Sequence, residues 1–342
     1  MLKKKFLLLA PNTFNLYELI VENLEFLGYE VTHIENEGYL FRYRSLWQRF
    51  CNLVHKTFYN NGEYKARLRE EYVLNQQIEI LDKVEKYDYS LVIRADLFDK
   101  ELIKKVRAKT DKLLSFHFDG ISRDRSILEY IPLFDQFYVF DPADVLSFPN
   151  HNLFYSPNFY FDYPELLIDI ETETKVSHVY YVSSHHLSRE QHLIDVHKYL
   201  SNKFKSVNFI VVCQEKNLGF VSAYIKKHMT ILHEHVNFEE QIRQIRRSDI
   251  IIDLVISDHK GYSFRIFEGI KYGKKVVTTN PTVVEADFYH PNNFFVLTND
   301  NWEELDRFLD SPLVQLDEGV RAKYAFSDWL NSKLEAALLL AK

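Results

Sequence analysis

The sequence predicts an α/β fold of two consecutive doubly wound domains that face one another across a cleft. Short apolar runs alternate with longer amphipathic stretches, which is typical of parallel strands flanked by helices. The alternation pauses once and then begins again, and 342 residues suit two hydrophobic cores better than one. Because ligands of such sheets bind beyond the carboxyl ends of the strands, we expect the functional site in the cleft.

The first series of apolar runs predicts the sheet of an N-terminal domain. Its strands are expected at 5–10, 29–34, 89–94, 112–118 and 136–140. Helical periodicity lies between them, for example at 15–27 and 63–85. The prolines and aromatic residues of PNFYFDYPE, at 157–165, mark a change of unit. We therefore predict a first domain over residues 1–160.

The second series predicts a domain over residues 161–325. Its strands are expected at 177–182, 207–212, 230–235, 249–254, 274–279 and 294–297. Its helices are expected at 188–203, 217–228, 238–246, 264–272 and 301–309. The remaining segment, 326–342, is apolar at helical spacing and offers Ser327 as an N-cap. We predict that it forms a closing helix that packs back on the first domain.

The composition bounds the class of protein. The net charge of −7 argues against a general nucleic-acid binder, which usually carries a basic excess. Cys51 and Cys213 form neither a disulfide framework nor a zinc pattern, which favours a reducing compartment. The opening MLKKKFLLLA has an apolar run of about five residues, too short for a signal peptide or a membrane span. We expect a cytoplasmic protein with no nucleic-acid partner.

The stretch GYSFRIFEGIKYGKKVVTTN, at 261–280, concentrates glycine in a chain that has only nine. Gly261 follows a polar loop and permits a tight turn. Gly269 falls inside an apolar helical pattern, where it costs about 1 kcal/mol relative to Ala, so it indicates the close approach of another group. Gly273 is suited to the C-cap before the next strand.

Between these glycines the sequence predicts an anion site. Ser263 is placed to cap a helix that begins near Phe264, and a helix N-terminus offers unpaired N–H groups to a diphosphate. Arg265 has the wrong charge for the first turn of a helix unless an anion is bound there. Glu268 follows one turn later, where a carboxylate can accept hydrogen bonds from ribose hydroxyls. A surface ion pair between Arg265 and Glu268 is the alternative.

Three stretches of the chain resemble a known family. From Phe238, FEEQIRQIRRSDIIIDL followed by GYSFRIFEGIKYGKKVVTTN is similar to the donor domain of GT-B glycosyltransferases, which have two Rossmann-like domains. More narrowly, FDGISRDRSILEYIPLFDQFYVFDPADV (118–145), VYYVSSHH (179–186) and SFRIFEGIKYGKKVVTTN (263–280) resemble the CgeB-like transferases of bacterial capsule and lipopolysaccharide biosynthesis.

The resemblance implies roles for particular residues. Glu268 matches the glutamate that binds the nucleotide ribose, and Gly273 matches the glycine that ends its helix. Many retaining members carry another glutamate at the sugar, where this chain has Lys260. The loop after the first strand of the second domain holds diphosphate, although Ser188 as a plain N-cap with Glu190 in the first turn is the alternative. The predicted donor-binding residues are Ser183, Ser184, Arg189, Lys260, Gly261, Tyr262, Ser263, Arg265 and Glu268.

The candidate catalytic residues lie at the carboxyl end of the strand LLSFHF of the first domain. Asp119 is the candidate general base, since similar transferases use an acid in this region; a turn aspartate before Gly120 is the alternative. His117 is the second choice, although its flanking phenylalanines are typical of a packed core histidine. Arg123 and Arg125 are predicted to bind an acceptor phosphate, or else to be solvated.

The family usually needs no metal, because the helix dipole and basic side chains stabilise the leaving diphosphate. His185, His186 and the HEH at 233–235 have no third ligand at a suitable spacing, so we predict neither a metal nor another cofactor beside the nucleotide-sugar substrate.

Residues 39–69 carry a helical stripe of apolar side chains surrounded by basic ones. The stripe consists of Leu46, Phe50, Leu53, Val54 and Phe58, with Trp47 beside it, and the basic residues are Arg42, Arg44, Arg49 and Lys56. Such a segment is suited to an anionic membrane that holds a lipid-linked acceptor. Packing on the domain core or on a second subunit is equally compatible with the pattern.

Together these features predict a glycosyltransferase that moves a sugar from a nucleotide-sugar donor to a surface polysaccharide or lipopolysaccharide acceptor. A sugar-nucleotide epimerase of the same fold also needs a grip on diphosphate. A non-catalytic GT-B-like scaffold is the other alternative, which Lys260 in place of the glutamate favours.

Overall fold

The computed structural model describes residues 3–13, 15–58, 63–163, 177–256 and 260–339. Within these ranges the chain forms two six-stranded sheets, each wholly parallel and flanked by helices. The predicted fold class, two doubly wound domains, is confirmed. None of the helices in the described part has both the length and the apolar composition needed to cross a bilayer.

The first sheet has the order β2-β1-β3-β4-β5-β6. Its strands are β1 (Lys5–Ala10), β2 (Glu30–Glu35), β3 (Tyr87–Ile93), β4 (Thr110–His117), β5 (Gln136–Val139) and β6 (Leu153–Tyr155). The accompanying helices are α1 (Leu16–Phe26), α2 (Leu46–Phe58), α3 (Glu63–Leu81), α4 (Lys100–Lys109) and α5 (Pro142–Ser147). Strand β6 was not predicted, because its three residues are too few for an apolar run to stand out.

The second sheet has the order β12-β11-β10-β7-β8-β9. Its strands are β7 (Val179–Ser184), β8 (Val207–Val212), β9 (Thr230–Leu232), β10 (Ile250–Asp253), β11 (Lys275–Thr278) and β12 (Phe294–Val296). The helices are α6 (Leu187–Lys203), α7 (Ala223–His228), α8 (Phe238–Arg246), α9 (Phe264–Tyr272), α10 (Trp302–Asp310) and α11 (Glu318–Ala322). The strand order reverses between β7 and β10, so a crevice opens where their carboxyl ends diverge.

Two predicted element boundaries differ from the structure. The helix expected at 217–228 is a 3₁₀ turn at Glu215–Phe220 followed by α7, because the Ser222 hydroxyl accepts a hydrogen bond from the N–H of Ile225 and starts a new helix there. The HEH at 233–235 follows β9 instead of continuing it, so its residues do not alternate on a strand.

The closing helix α12 (Phe326–Leu339) packs on the first domain, as predicted. The indole ring of Trp329 lies 5.0 Å from the ring of Phe116, and its Nε1 donates to the Pro157 carbonyl at 2.9 Å. Ser327 was expected to cap the helix but lies inside it. Its hydroxyl donates to Asp162 Oδ1 at 3.0 Å, because that carboxylate reaches the first turn from the preceding linker.

The linker pairs in parallel with the segment that leads into α12, through a single bridge between Tyr160 and Ala325. The N–H of Tyr160 donates to the Tyr324 carbonyl, and the N–H of Phe326 donates to the Tyr160 carbonyl, each at 2.8 Å. The predicted domain boundaries, after 160 and after 325, fall at this bridge and stay predictions. Residues 164–176, which include the end of the predicted linker, lie outside the described residues.

Leu330→Ala tests whether α12 holds the first domain together. Leu330 is fully buried in the first domain's core, so its truncation is expected to lower the free energy of unfolding by about 2–5 kcal/mol. The measurement is urea unfolding followed by circular dichroism. Asn331→Ala, at the exposed neighbouring position, serves as the control. Equal stability of the two variants would contradict the docking of α12.

Candidate functional site

A cavity of about 350 Å³ lies between the domains, at the carboxyl ends of β7 and β10. Six of the nine predicted donor-binding residues line it: Ser183, Ser184, Arg189, Ser263, Arg265 and Glu268. Apolar side chains of the second domain form another wall: Val182, Val212, Val236, Phe238, Ile256 and Phe264. The first domain contributes Leu16, Phe118, Arg123, Phe140 and Asn158. The structure therefore brings residues of both sequence halves to one crevice.

The buried carboxylate of Asp253 anchors the N-terminus of α9. Asp253 ends β10 and accepts hydrogen bonds from the Ser263 hydroxyl at 2.7 Å and the Thr278 hydroxyl at 2.9 Å. Ser263 occupies the N-cap position but makes no side-chain cap, contrary to the prediction, because its hydroxyl is engaged by Asp253. The Ile266 N–H donates to the Ser263 carbonyl at 3.2 Å, so the N–H groups of Phe264 and Arg265 are those that keep their hydrogen-bonding capacity for a ligand.

Arg265 brings a positive charge to the same edge. Its guanidinium donates to the Val182 carbonyl, and Nη1 lies 3.8 Å from Asp253 Oδ1. Its Nε is buried without a hydrogen-bond partner among the described residues. The Val182 carbonyl and the Asp253 carboxylate thus position the guanidinium, and its Nε–H remains available to donate a hydrogen bond.

Glu268 is the carboxylate of this cavity. The residue is 4% exposed and lines the cavity, and its side chain has no hydrogen-bond partner within the part of the chain that the structure describes. Burial raises the pKa of Glu268 to about 7; Arg265 opposes this shift and Asp253 adds to it. No ion pair within 4.0 Å joins the described side chains of Arg265 and Glu268, so the predicted alternative of a surface ion pair is wrong.

Arg189 supports the ends of two strands. It is buried, and its guanidinium donates to the Leu254 carbonyl at 3.0 Å and to the Ser184 carbonyl. Burial lowers its pKa. The alternative of Ser188 as the N-cap of α6 is wrong, because the cap is His186, whose Nδ1 accepts from the Ser188 N–H at 3.3 Å. Arg189 and Arg265 together make the carboxyl edge of the sheet electropositive.

Residues 260–262 lie beside the cavity and join the two domains. The Lys260 N–H donates to Asp141 Oδ2 at 2.8 Å, and the Tyr262 carbonyl accepts from Asn158 Nδ2 at 2.8 Å. Within the second domain, the Tyr262 hydroxyl donates to the Thr282 carbonyl at 3.0 Å. A Cβ at Gly261 would lie 2.4 Å from the Phe140 ring. The φ of Gly261 is not positive, so this glycine serves a close domain contact and not the predicted tight turn.

Gly269 inside α9 and Gly273 at its C-cap lie where the sequence predicts them. A Cβ at Gly269 would lie 2.4 Å from Val276 Cγ2, so the group that approaches closely is the neighbouring strand β11. Gly273 is the C-cap and has φ 59°, in the left-handed region that favours glycine.

Asp119 lies between two guanidinium groups. Its Oδ2 accepts from Arg94 Nη1 at 3.0 Å, and its Oδ1 accepts from Arg123 Nη1 at 2.7 Å and from the Gly120 N–H at 3.1 Å. Arg123 lines the cavity, whereas Asp119 borders it through Arg123. The predicted role of Asp119 stays a prediction.

His117 and Arg125 lie away from the cavity. His117 is 2% exposed, and its Nδ1 lies 3.5 Å from Asp96 Oδ1 without a hydrogen bond. Burial lowers the pKa of His117 to about 4, so the ring is a neutral core side chain. The Arg125 guanidinium lies 5.9 Å from the ring centre of Phe148. Their predicted roles as a base and an acceptor contact have no geometric support in this arrangement.

Sequence reasoning missed two polar residues that organise the site. Asp253 holds α9, and Arg94 holds Asp119 while its Nε and Nη2 contact Asp96 at 2.9 and 2.7 Å. Arg94 has φ 56°, which is strained for a residue with a side chain and is found at functional sites. Asp253 is the last residue of the buried strand IIID, and Arg94 directly follows the buried strand that ends in YSLVI. A polar residue at the end of a buried strand is the signal that could have identified both.

Glu268→Gln tests the burial of the cavity carboxylate. A raised pKa means that ionising Glu268 costs the folded state stability, a cost absent below about pH 4 and complete above about pH 8. Relative to wild type, the variant is expected to gain up to about 3 kcal/mol of unfolding free energy between those limits. Urea unfolding across this pH range measures it. A stability difference that does not change with pH would refute the burial.

Of the comparisons with known proteins, only the one with solved structures gives matches, and these have the same architecture. No protein-family model and no curated protein matches the chain. Among solved structures, the chain is similar to the lipopolysaccharide outer core galactosyltransferase WaaB in its apo form, with 12% identity, a TM-score of 0.54 and all of both chains covered. A UDP-forming α,α-trehalose-phosphate synthase from Burkholderia xenovorans matches at 11% identity and a TM-score of 0.56, again over all of both chains.

An α-glucosyltransferase in complex with UDP-glucose and DNA containing an abasic site matches at 10% identity and a TM-score of 0.60, over 98% of this chain and 100% of that one. At these identities the likeness concerns the fold. The chain has the GT-B fold of glycosyltransferases, two Rossmann-like domains with a crevice between them.

Proposed function

We propose that this protein is a glycosyltransferase that moves a sugar from a nucleotide-sugar donor to a surface polysaccharide or lipopolysaccharide acceptor. The observation that carries the proposal is Glu268, a buried carboxylate that faces the cavity and has no hydrogen-bond partner among the described residues. The oxygens of this carboxylate open on the cavity, so a bound ligand can supply the hydrogen bonds that the described residues do not.

The donor fits the cavity by its chemistry. The ribose hydroxyls donate to Glu268, and the diphosphate lies at the N-terminus of α9 near Arg265 and Arg189. Ser183 and Ser184 add hydroxyl donors at the end of β7. The trehalose-phosphate synthase and the α-glucosyltransferase described above are UDP-forming and bound to UDP-glucose, respectively, so a uridine nucleotide is the first donor to test.

The transfer step uses residues of both domains, Asp119 of the first and the donor-binding residues of the second. An acceptor hydroxyl loses its proton to the Asp119 carboxylate and forms a bond from its oxygen to the anomeric carbon. The bond from that carbon to the diphosphate oxygen breaks, and the diphosphate leaves with the electron pair. Arg189, Arg265 and the α9 dipole stabilise its charge, so we propose transfer without a metal. The described residues contain no cluster of three potential metal ligands.

The acceptor side is the first domain. Arg123 lines the cavity and is the candidate contact for an acceptor phosphate, in a glycan or lipid-linked acceptor. The likeness to a lipopolysaccharide galactosyltransferase supports this acceptor class. We propose a cytoplasmic enzyme that meets its acceptor at the inner face of the plasma membrane.

A thermal-shift screen tests donor binding. At about one hundred times its dissociation constant, the correct nucleotide sugar stabilises the protein by about 2.7 kcal/mol, seen as a rise of a few degrees in Tm. UDP-, GDP-, dTDP- and CMP-sugars and the free nucleotides form the panel. Glu268→Ala is expected to abolish most of the shift, because each hydrogen bond to a carboxylate contributes about 1.5–3 kcal/mol.

The matched control is Glu285→Ala, which removes an exposed carboxylate of the same domain. It is expected to keep the full shift. If no nucleotide raises the Tm of the wild-type protein, the transferase proposal is wrong and a scaffold role replaces it. If the free nucleotide sugar is inverted without an acceptor, the epimerase replaces it.

Asp119→Asn tests the base. With the donor and an acceptor supplied, kcat is expected to fall by about 100-fold or more, since an amide does not take up the proton. The donor-induced thermal shift is expected to stay, because Asp119 lies in the other domain. Asp124→Asn, an exposed aspartate of the same loop whose cap an asparagine can replace, is the control. An active Asp119→Asn enzyme would assign the base elsewhere.

A further inference from the structure

Helix α2 presents its apolar face to solvent. Leu46, Trp47, Phe50 and Leu53 are 84%, 69%, 53% and 60% exposed, and Leu40 in the preceding loop is 79% exposed. Leu46, Phe50 and Leu53 recur at helical spacing, and the rings of Trp47 and Phe50 stack with centroids 5.6 Å apart. We call these five residues the α2 face. Their exposure rules out the predicted alternative of packing on the domain core; the Phe58 side chain lies outside the described residues.

The other side of α2 and the residues just before it contact α3. The His55 ring stacks on Tyr64 of α3, with centroids 4.7 Å apart and planes within 6°. At the start of α2, Arg44 Nη1 lies 3.3 Å from Glu71 of α3, and the Arg44 N–H donates to Gln48 at 2.8 Å. A helix of a soluble domain normally buries its apolar stripe, whereas α2 turns that stripe outward. The α2 face therefore suits a partner outside the chain.

The charge around the α2 face identifies the partner's chemistry. Residues 39–69 contain seven Lys and Arg against one Glu, a net charge of +6, although the whole chain has −7. Arg42, Arg49 and Lys56 are exposed, and no ion pair with another described residue engages them. Apolar side chains surrounded by basic residues are suited to a lipid surface, in which anionic headgroups lie over an apolar interior.

The topology places this face on the side of the cleft. Strand β2 is parallel to the rest of its sheet and lies at its edge, and α2 follows the carboxyl end of β2. The segment that holds α2 therefore leaves the first sheet at the same end as Phe118 and Phe140, which line the cavity.

We propose that the α2 face docks the protein on an anionic phospholipid bilayer, with Leu46, Trp47, Phe50 and Leu53 entering the interface and the surrounding arginines contacting lipid phosphates. A second copy of the chain fits less well, because a symmetric pair would bring two segments of +6 together. The purpose of docking, delivery of a lipid-linked acceptor, rests on the proposed function; the docking itself does not.

Vesicle flotation of the full chain tests the docking. The wild-type protein is expected to float with vesicles of one part phosphatidylglycerol to two parts phosphatidylcholine, and not with phosphatidylcholine alone. The double variant Trp47→Ser with Phe50→Ser is expected to lower the partition coefficient by about tenfold or more, because less apolar area enters the interface. Arg42→Glu with Arg49→Glu is expected to lower it similarly, and added salt is expected to weaken wild-type binding.

Two control variants match these changes elsewhere on the surface. Leu146→Ser with Phe220→Ser removes residues that are 81% and 68% exposed, and Lys216→Glu with Lys227→Glu makes the same change in net charge. Both controls are expected to float like wild type. Equal loss in test and control variants would overturn the proposal, as would equal binding to neutral vesicles.

Two further readouts separate the possible outcomes. Light scattering that gives twice the chain mass for wild type and the single mass for the Trp47 and Phe50 variant, without flotation, would make the face a dimer contact and overturn lipid docking. The donor-induced thermal shift is expected to be unchanged in every α2 variant. A failed flotation with an intact thermal shift therefore rejects the docking alone, whereas flotation without any thermal shift rejects the transferase alone.

Discussion

The cleft depends on the packing of Phe159. This ring is 1% exposed, and its centroid lies 5.4 Å from that of Phe264 at the start of α9, 4.6 Å from that of Trp329 in α12, and 6.3 Å from that of Phe116 in the first sheet. One aromatic cluster thus joins the linker, the closing helix and both domains. Because interiors are close-packed, this cluster sets where α9 lies relative to the first domain, and with it the two walls of the cavity.

The two arginines at the strand ends of the second domain are held mainly by the backbone, although Arg265 also lies 3.8 Å from Asp253. Arg189 and Arg265 donate to main-chain carbonyls at the ends of the central strands, and Asp253 accepts from hydroxyls that tie α9 to β11. Glu268 is left without a counterpart among the described residues. This arrangement lowers the stability of the free protein, and such unpaired buried groups are typical of sites preorganised for a ligand.

Much of the fold follows from periodicity along the chain. Apolar runs predicted eleven strand positions, since a buried parallel strand is a continuous apolar segment, and only the three-residue β6 escaped. The cavity residues after β7 and at the start of α9 were also predictable, because strand ends and helix starts are where such sheets bind ligands. The partners of such side chains were not predictable. Ser327 and Gly261 contact Asp162 and Phe140, which are distant in sequence, and Ser263 contacts Asp253 across a loop, which local patterns do not encode.

The sequence by itself determined the two α/β domains, their order and the position of Arg265 and Glu268 one turn apart on α9, because these depend on short-range spacing. Only the tertiary structure decided that Glu268 is buried without a partner and that Asp119 lies between Arg94 and Arg123. It also decided that the stripe of α2 faces outward. An amphipathic pattern specifies that a helix has an apolar face, whereas what covers that face is settled by contacts between distant parts of the chain.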